Sequence, residues 1–188
     1  MVPARPVSLF WTAAPGLFVL FWAGGYSFAK LGLPHIEPMT MLAIRYGLAV
    51  LCLLPVLALF RPALPRDPGH WAAMAASGFL IQCVYFGLAY LAMKQGLAAG
   101  TTAIVMALQP ALVAALAPLA GEARGRPVMW LGLALGFAGV ALSVFDRTGV
   151  APVSAGFLAL GALLGLTAAT LMEKAHGRRS DPVLGGFV

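Results

Sequence analysis

The sequence predicts an all-α fold, a polytopic transmembrane bundle of about six helices, on three observations. Of the 188 residues, 61% are hydrophobic and only 10% carry charge. A soluble domain carries about 25% charged residues, so the polar side chains here cannot cover a water-exposed surface. Mean hydropathy is +0.92, which points to lipid as the natural solvent. The apolar residues also fall into six runs separated by short breaks rich in Pro, Gly and charge. Each run approaches the roughly 20 residues that a bilayer core requires. Backbone groups in hydrocarbon must be satisfied within the segment, which makes runs of this length helices. Barrel strands would be shorter and would alternate in polarity.

The first run, 9–33, follows MVPARPVSLFWTAAPG, a start that resembles a signal peptide with Arg5 ahead of an apolar stretch. The stretch continues to Leu33, too far for a cleavable core and far enough to span. The second run, 39–60, comes after the break PHIEPM, and the third, 71–93, after RPALPRDPGH. KQGLAA precedes the fourth run, 99–120, GEARGRP the fifth, 127–145, and DRTGVAP the sixth, 153–173. The tail SDPVLGGFV places Asp181-Pro182 before Val, Leu and Phe, the pattern of another helix start. The chain is therefore expected to be part of a longer bundle. A chain ending at Val188 would instead need a second copy, as a homodimer, to complete one.

Orientation follows from the basic residues of the breaks. Arg5, Arg61, Arg66, Arg124, Arg126, Lys174, Arg178 and Arg179 fall on one side, and Lys30, Lys94 and Arg147 on the other. This bias puts the N-terminus in the cytoplasm; the location to expect is a cell (inner) membrane, crossed several times. The net charge of +6 comes from dispersed residues with no basic face, which excludes nucleic acid as a partner. The partners to expect are the lipid bilayer and a small solute. Cys52 and Cys83 fall inside apolar runs and read as small buried hydrophobes, outside any disulfide framework. His35, His70 and His176 stand singly at segment ends, without metal-ligand spacing, so neither a metal nor another cofactor is expected.

An internal repeat appears when the first run is laid over the sixth with an offset of 140 residues. Gly16 then meets Gly156, Leu20 meets Leu160, Gly25 meets Gly165, Ser27 meets Thr167, Ala29 meets Ala169 and Leu31 meets Leu171. Five helices separate the copies, so the second would enter the membrane from the opposite side. Inverted repeats of this kind place a substrate site near the midplane of many secondary transporters.

The motifs WAGGYSFAK (22–30), EPMTMLAIR (37–45) and the long stretch from Tyr85 to Leu142 carry a family resemblance. The tryptophan and glycines of helix one, the Pro-then-Arg opening of helix two, Pro110 within helix four, the Gly121-Glu122 pair and the glycine-rich fifth helix resemble the EamA-like branch of the drug/metabolite transporter superfamily. The resemblance implies ten helices in two inverted five-helix repeats. Residues 1–148 would then be the first repeat and 149–188 the incomplete start of the second. It also implies transport of small metabolites, amino acids or related organic solutes, by alternating access, in the direction of export.

Candidate site residues are polar or aromatic groups at membrane depth, where burying charge is expensive and so tends to be functional. Trp22, Tyr26 and Lys30 lie at i, i+4 and i+8, one helical stripe. They read either as interfacial aromatics with a snorkelling lysine or as a cavity wall with a cation for a carboxylate. Arg45, two turns into helix two, either snorkels or pairs with Glu37, or else acts as a gate or contacts an anion. Gln82 and Tyr85, three residues apart, are expected to face similarly, and Thr102, Met106 and Gln109 to share a stripe. These groups either hydrogen-bond between helices or line a cavity. Pro110 lacks the backbone N–H that would donate to the Met106 carbonyl, which predicts a kink or a broken helix. The Gly132/Gly136 and Gly161/Gly165 pairs predict close helix packing.

No Asp or Glu falls deep in a span, which argues against a small four-helix multidrug antiporter. No catalytic constellation is present: a membrane-embedded enzyme would need converging His, Asp or Glu. A non-transporting scaffold or fragment is the remaining alternative.

Overall fold

The computed structural model describes residues 9–60, 67–120, 127–145 and 152–176. The expectations placed on Arg5, on the arginines of the 61–66, 121–126, 146–151 and 177–188 segments, and on Asp181-Pro182 lie outside these residues. Among the described residues every regular element is helical: α1 (Leu9–Gly32), α2 (Pro38–Phe60), α3 (Pro68–Gly78), a π-helical stretch (Phe79–Tyr85), α4 (Phe86–Lys94), α5 (Ala99–Met106), α6 (Gln109–Leu116) with a 3-10 turn (Ala117–Ala120), α7 (Pro127–Phe145) and α8 (Val153–His176). These join into six rods that follow the six apolar runs. Among the described residues four are long and apolar enough to cross a bilayer: Pro38–Leu59, Pro68–Lys94, Ala99–Leu116 and Val153–Ala175. The chain is an all-α polytopic helix bundle.

Local chemistry sets the ends of the third rod. Asp67 caps α3 by accepting from the Gly69 amide at 3.0 Å, with Pro68 in the first helical position. Both are standard devices for satisfying or removing orphan N–H groups. The rod therefore starts three residues before the apolar run. It ends at Gly96, whose φ of 110° suits glycine. There Gly96 N bonds Met93 O at 3.1 Å and Leu97 N bonds Ala92 O at 3.1 Å, a Schellman ending.

The fourth run is broken rather than smoothly bent. α5 stops at Met106, two turn residues follow, and α6 restarts with Pro110 in its first turn. Proline has no N–H for the Met106 carbonyl and its ring crowds the preceding turn, so the helix is re-nucleated beyond it.

The π-helical stretch and α4 form the centre of the bundle, and α8 packs along them. The buried set includes Tyr85, Ala89, Ala92 and Met93 on the central rod and Ala155, Ala159, Ala162 and Leu163 on α8. Close approach depends on glycine. A Cβ at Gly165 would sit 2.8 Å from Val84 Cγ1, and one at Gly161 would sit 3.0 Å from Leu88 Cδ1. The second glycine pair behaves differently: Gly136 is tight against Leu108, whereas Gly132 has open space.

The two cysteines correct a sequence expectation. Both thiols are free and exposed on the bundle surface rather than buried. An apolar run does not say which of its faces meets protein and which meets lipid.

Candidate functional site

An aromatic cleft of about 70 Å³ lies between α1, α2 and the central rod, lined by Phe21, Trp22, Gly25, Tyr26, Arg45, Tyr85, Phe86 and Tyr90. The lining combines two helical periodicities. On α1, Trp22 and Tyr26 are one turn apart, with Phe21 and Gly25 beside them. On the central rod, Phe86 and Tyr90 are one turn apart. Gly25 leaves room, since nothing lies within 4 Å of the position its Cβ would take. Tyr26 and Tyr85 hydrogen-bond through their hydroxyls and are both buried. That bond ties α1 to the end of the π-helical stretch. The rings of Tyr85 and Phe86 are 4.4 Å apart, and Phe86 and Tyr90 meet edge-on at 6.1 Å.

Arg45 is the charged group of the cleft. Its Nη1 donates to the Tyr90 hydroxyl at 3.1 Å. The guanidinium carbon stands 4.2 Å above the Phe86 ring centroid and 5.7 Å from that of Tyr46. Cation–π contacts of this kind are worth up to about 2 kcal/mol once desolvated. They offset part of the roughly 2.5–3.5 kcal/mol that an arginine costs at mid-bilayer. A guanidinium has five N–H donors. Among the described residues no carboxylate forms an ion pair with Arg45; Glu37 pairs instead with Lys94 at 3.3 Å. The site therefore presents a flat cation, aromatic faces and phenol hydroxyls, without a nucleophile–base pair. It can hold a carboxylate next to apolar or aromatic groups.

The other sequence candidates take separate places. Lys30 continues the Trp22–Tyr26 stripe, but its Nζ donates to the carbonyls of Met93 at 2.6 Å and Leu97 at 2.9 Å, beyond the cleft. Gln82, inside the π-helical stretch, is not among the residues that line the cleft with Tyr85. A π-helix has about 4.4 residues per turn, so three residues turn the chain by about 245° rather than 300°. The Gln82 carbonyl accepts from the Tyr46 hydroxyl at 2.9 Å, while its buried side-chain Oε1 has no hydrogen-bond partner.

The stripe through Thr102, Met106 and Gln109 is divided by the helix break. Thr102 is fully buried and bonds back to Ala98 O at 3.1 Å. Gln109 crosses to Thr170 of α8 at 3.0 Å. Pro110 is exposed at the restart of α6. Glu173, placed at a segment end, accepts from the buried Ser77 hydroxyl. Of the nine candidates, the cleft unites Trp22, Tyr26, Arg45 and Tyr85. Sequence reasoning left out Phe21, Gly25, Phe86 and Tyr90. The one-turn spacing of Phe86 and Tyr90 was the available signal, and it lacked a reason to aim at Arg45. Among the described residues no group of three or more His, Cys, Asp or Glu converges to hold a metal.

Residues 13–145, from within α1 to the end of α7, match the model of the EamA-like transporter family. Over 127 residues the chain is 31% identical to "Uncharacterized inner membrane transporter YedA" of Escherichia coli strain K12. The same figures hold for YedA of E. coli O6:H1 and of O157:H7. The alignment takes in 66% of this chain and 40% of each relative, so the chain spans about two fifths of the length of the curated relatives it matches. No solved structure matches significantly. On a family match over residues 13–145, more than half of its length, this chain belongs to the EamA-like transporter family.

Proposed function

We propose that this chain supplies the first repeat of an inner-membrane transporter, with its N-terminus in the cytoplasm. In this reading 1–148 form that repeat and 149–188 open an inverted second one. The transporter moves a small organic metabolite with a carboxylate, an amino acid or related solute, outward by alternating access. The observation that carries the reading is Arg45, unpaired with any carboxylate among the described residues and aimed into an aromatic cleft. A cation held on ring faces at membrane depth keeps its remaining donors for an anionic ligand. The rings offer apolar contact to the rest of the solute.

The test is reconstitution of the full-length protein in liposomes with a panel of carboxylated metabolites. Flux or binding of at least one solute, weakened by Arg45→Gln, supports the reading. Neither flux nor binding across the panel ends it.

A further inference from the structure

Two lysines outside the cleft cap each other's helices. Lys30, near the C-terminal end of α1, donates to Met93 O in the last turn of α4 and to Leu97 O three residues beyond its end. Lys94, the last residue of α4, donates to Leu33 O just past the end of α1, at 2.9 Å, and bridges Glu37 at 3.3 Å. Helix ends carry partial negative charge from carbonyls without intrahelical partners. Two such ends side by side repel, and two exchanged cations turn the repulsion into attraction. Lys30 lies one turn beyond Tyr26, and Lys94 one turn beyond Tyr90, both cleft residues. One turn rises about 5.4 Å, so the exchanged caps stand directly over the cleft, at the membrane face that bears residues 33–37 and 95–98.

We propose that this reciprocal lysine clasp is a releasable latch, closing the aromatic cleft toward the membrane face that carries residues 33–37 and 95–98. Its chemistry suits release. Lys94 is already 35% exposed at its side chain and Glu37 is 76% exposed, so water reaches one half of the clasp. A freed lysine can snorkel to headgroup phosphates, and freed end carbonyls can take water. The closed and open states therefore exchange near-equal interactions. That balance is what a two-state gate requires. The contrast with α8 is one of degree, because glycines and alanines seat most of its length directly against the central rod. The latch rests on the alternating-access reading, in which the cleft must open and close on this face.

The test uses a thiol probe inside the cleft of the full-length protein in proteoliposomes. Cys52 and Cys83 are replaced by serine, and Gly25→Cys is introduced, since a side chain there meets nothing within 4 Å. A membrane-impermeant maleimide is then added from the 33–37 face. The double variant Lys30→Met/Lys94→Met should label about tenfold faster, as expected when two end-on lysine contacts favour closure by one decade. Lys30→Arg/Lys94→Arg, which keeps the donors, should label near the original rate.

Unchanged labelling in a folded double-Met protein overturns the latch, and so does equal acceleration by the Arg pair. If the double variant fails to fold, Lys94→Met alone is scored by the same criterion, with a smaller acceleration expected. Labelling does not depend on flux. Faster labelling without any transported solute leaves the latch standing and removes the transport reading; flux with flat labelling does the reverse.

Discussion

The two flanks of the central rod are joined to it by different physics. On one flank α8 meets the π-helical stretch and α4 mainly through Gly161, Gly165 and a run of buried alanines, with Ser154 donating to Gln95 near its start and Glu173 accepting from Ser77 near its end. On the other flank α1 and α2 are held by side-chain polar contacts: the Tyr26–Tyr85 pair, Arg45 on Tyr90, Tyr46 on the Gln82 carbonyl and the exchanged lysine caps. Burial follows the same division. In the apolar window of α2 only 6% is buried, against 39% in that of α8. In lipid, helix association depends on van der Waals packing and interhelical hydrogen bonds, since the apolar solvent gives no hydrophobic drive. Where small residues let backbones approach, packing fills most of the interface. Where large aromatics hold the helices apart, polar contacts bridge them and a cleft remains. The rigid flank and the cleft-bearing flank are two answers to the same solvent.

The largest expected effect tests the packed flank. Gly165→Leu drives a side chain into Val84 and should cost about 3 kcal/mol or more, at the upper end of overpacking penalties. It should be read as a large fall in thermal midpoint in detergent or as loss of monodisperse protein. Gly25→Ala, on the open flank, should leave the midpoint nearly unchanged. Equal falls in the two variants would erase the distinction between the flanks.

Next in size, Arg45→Gln should weaken solute binding roughly 10- to 100-fold, the loss of a charge-assisted hydrogen bond of about 1.5–3 kcal/mol. Isothermal titration would measure it, and the thermal midpoint should move little. Tyr90→Phe removes the hydroxyl that steadies Arg45 at 3.1 Å. It should cost about fivefold in affinity, near 1 kcal/mol, while preserving the edge-on ring contact with Phe86. The smallest effect belongs to Thr170→Val, which removes the partner of Gln109. An interhelical bond of this type averages about 0.6 kcal/mol, so a shift of a few degrees in thermal midpoint with no change in solute binding is expected.

Much of this organisation is legible in the residues. The six rods follow the six apolar runs, because the bilayer imposes length and composition on a span. The break before Pro110 is legible because proline lacks a donor wherever it sits. Arg45, Trp22 and Tyr26 stand out as polar or aromatic groups at depth, and the cleft does contain them. Lys30 shows the limit. Its stripe position is shared with Trp22 and Tyr26, yet a four-carbon stem lets the ammonium reach carbonyls on another helix. Gln82 shows another. The π-helical stretch adds residues to a turn and rotates every later side chain, and nothing in FLIQCVY announces it. Cys52 and Cys83 show a third, since hydropathy does not distinguish a lipid-facing position from a buried one.

By itself the sequence determined the solvent, the number and approximate ends of the helices and the family, because these depend on composition and on motifs local in the chain. The tertiary structure alone decided that Arg45 meets Phe86 and Tyr90, that two lysines exchange helix caps, and that α8 packs on the opposite flank of the central rod from α2. Each of these joins residues from different helices, and spacing along one helix carries no information about which neighbour its faces will meet.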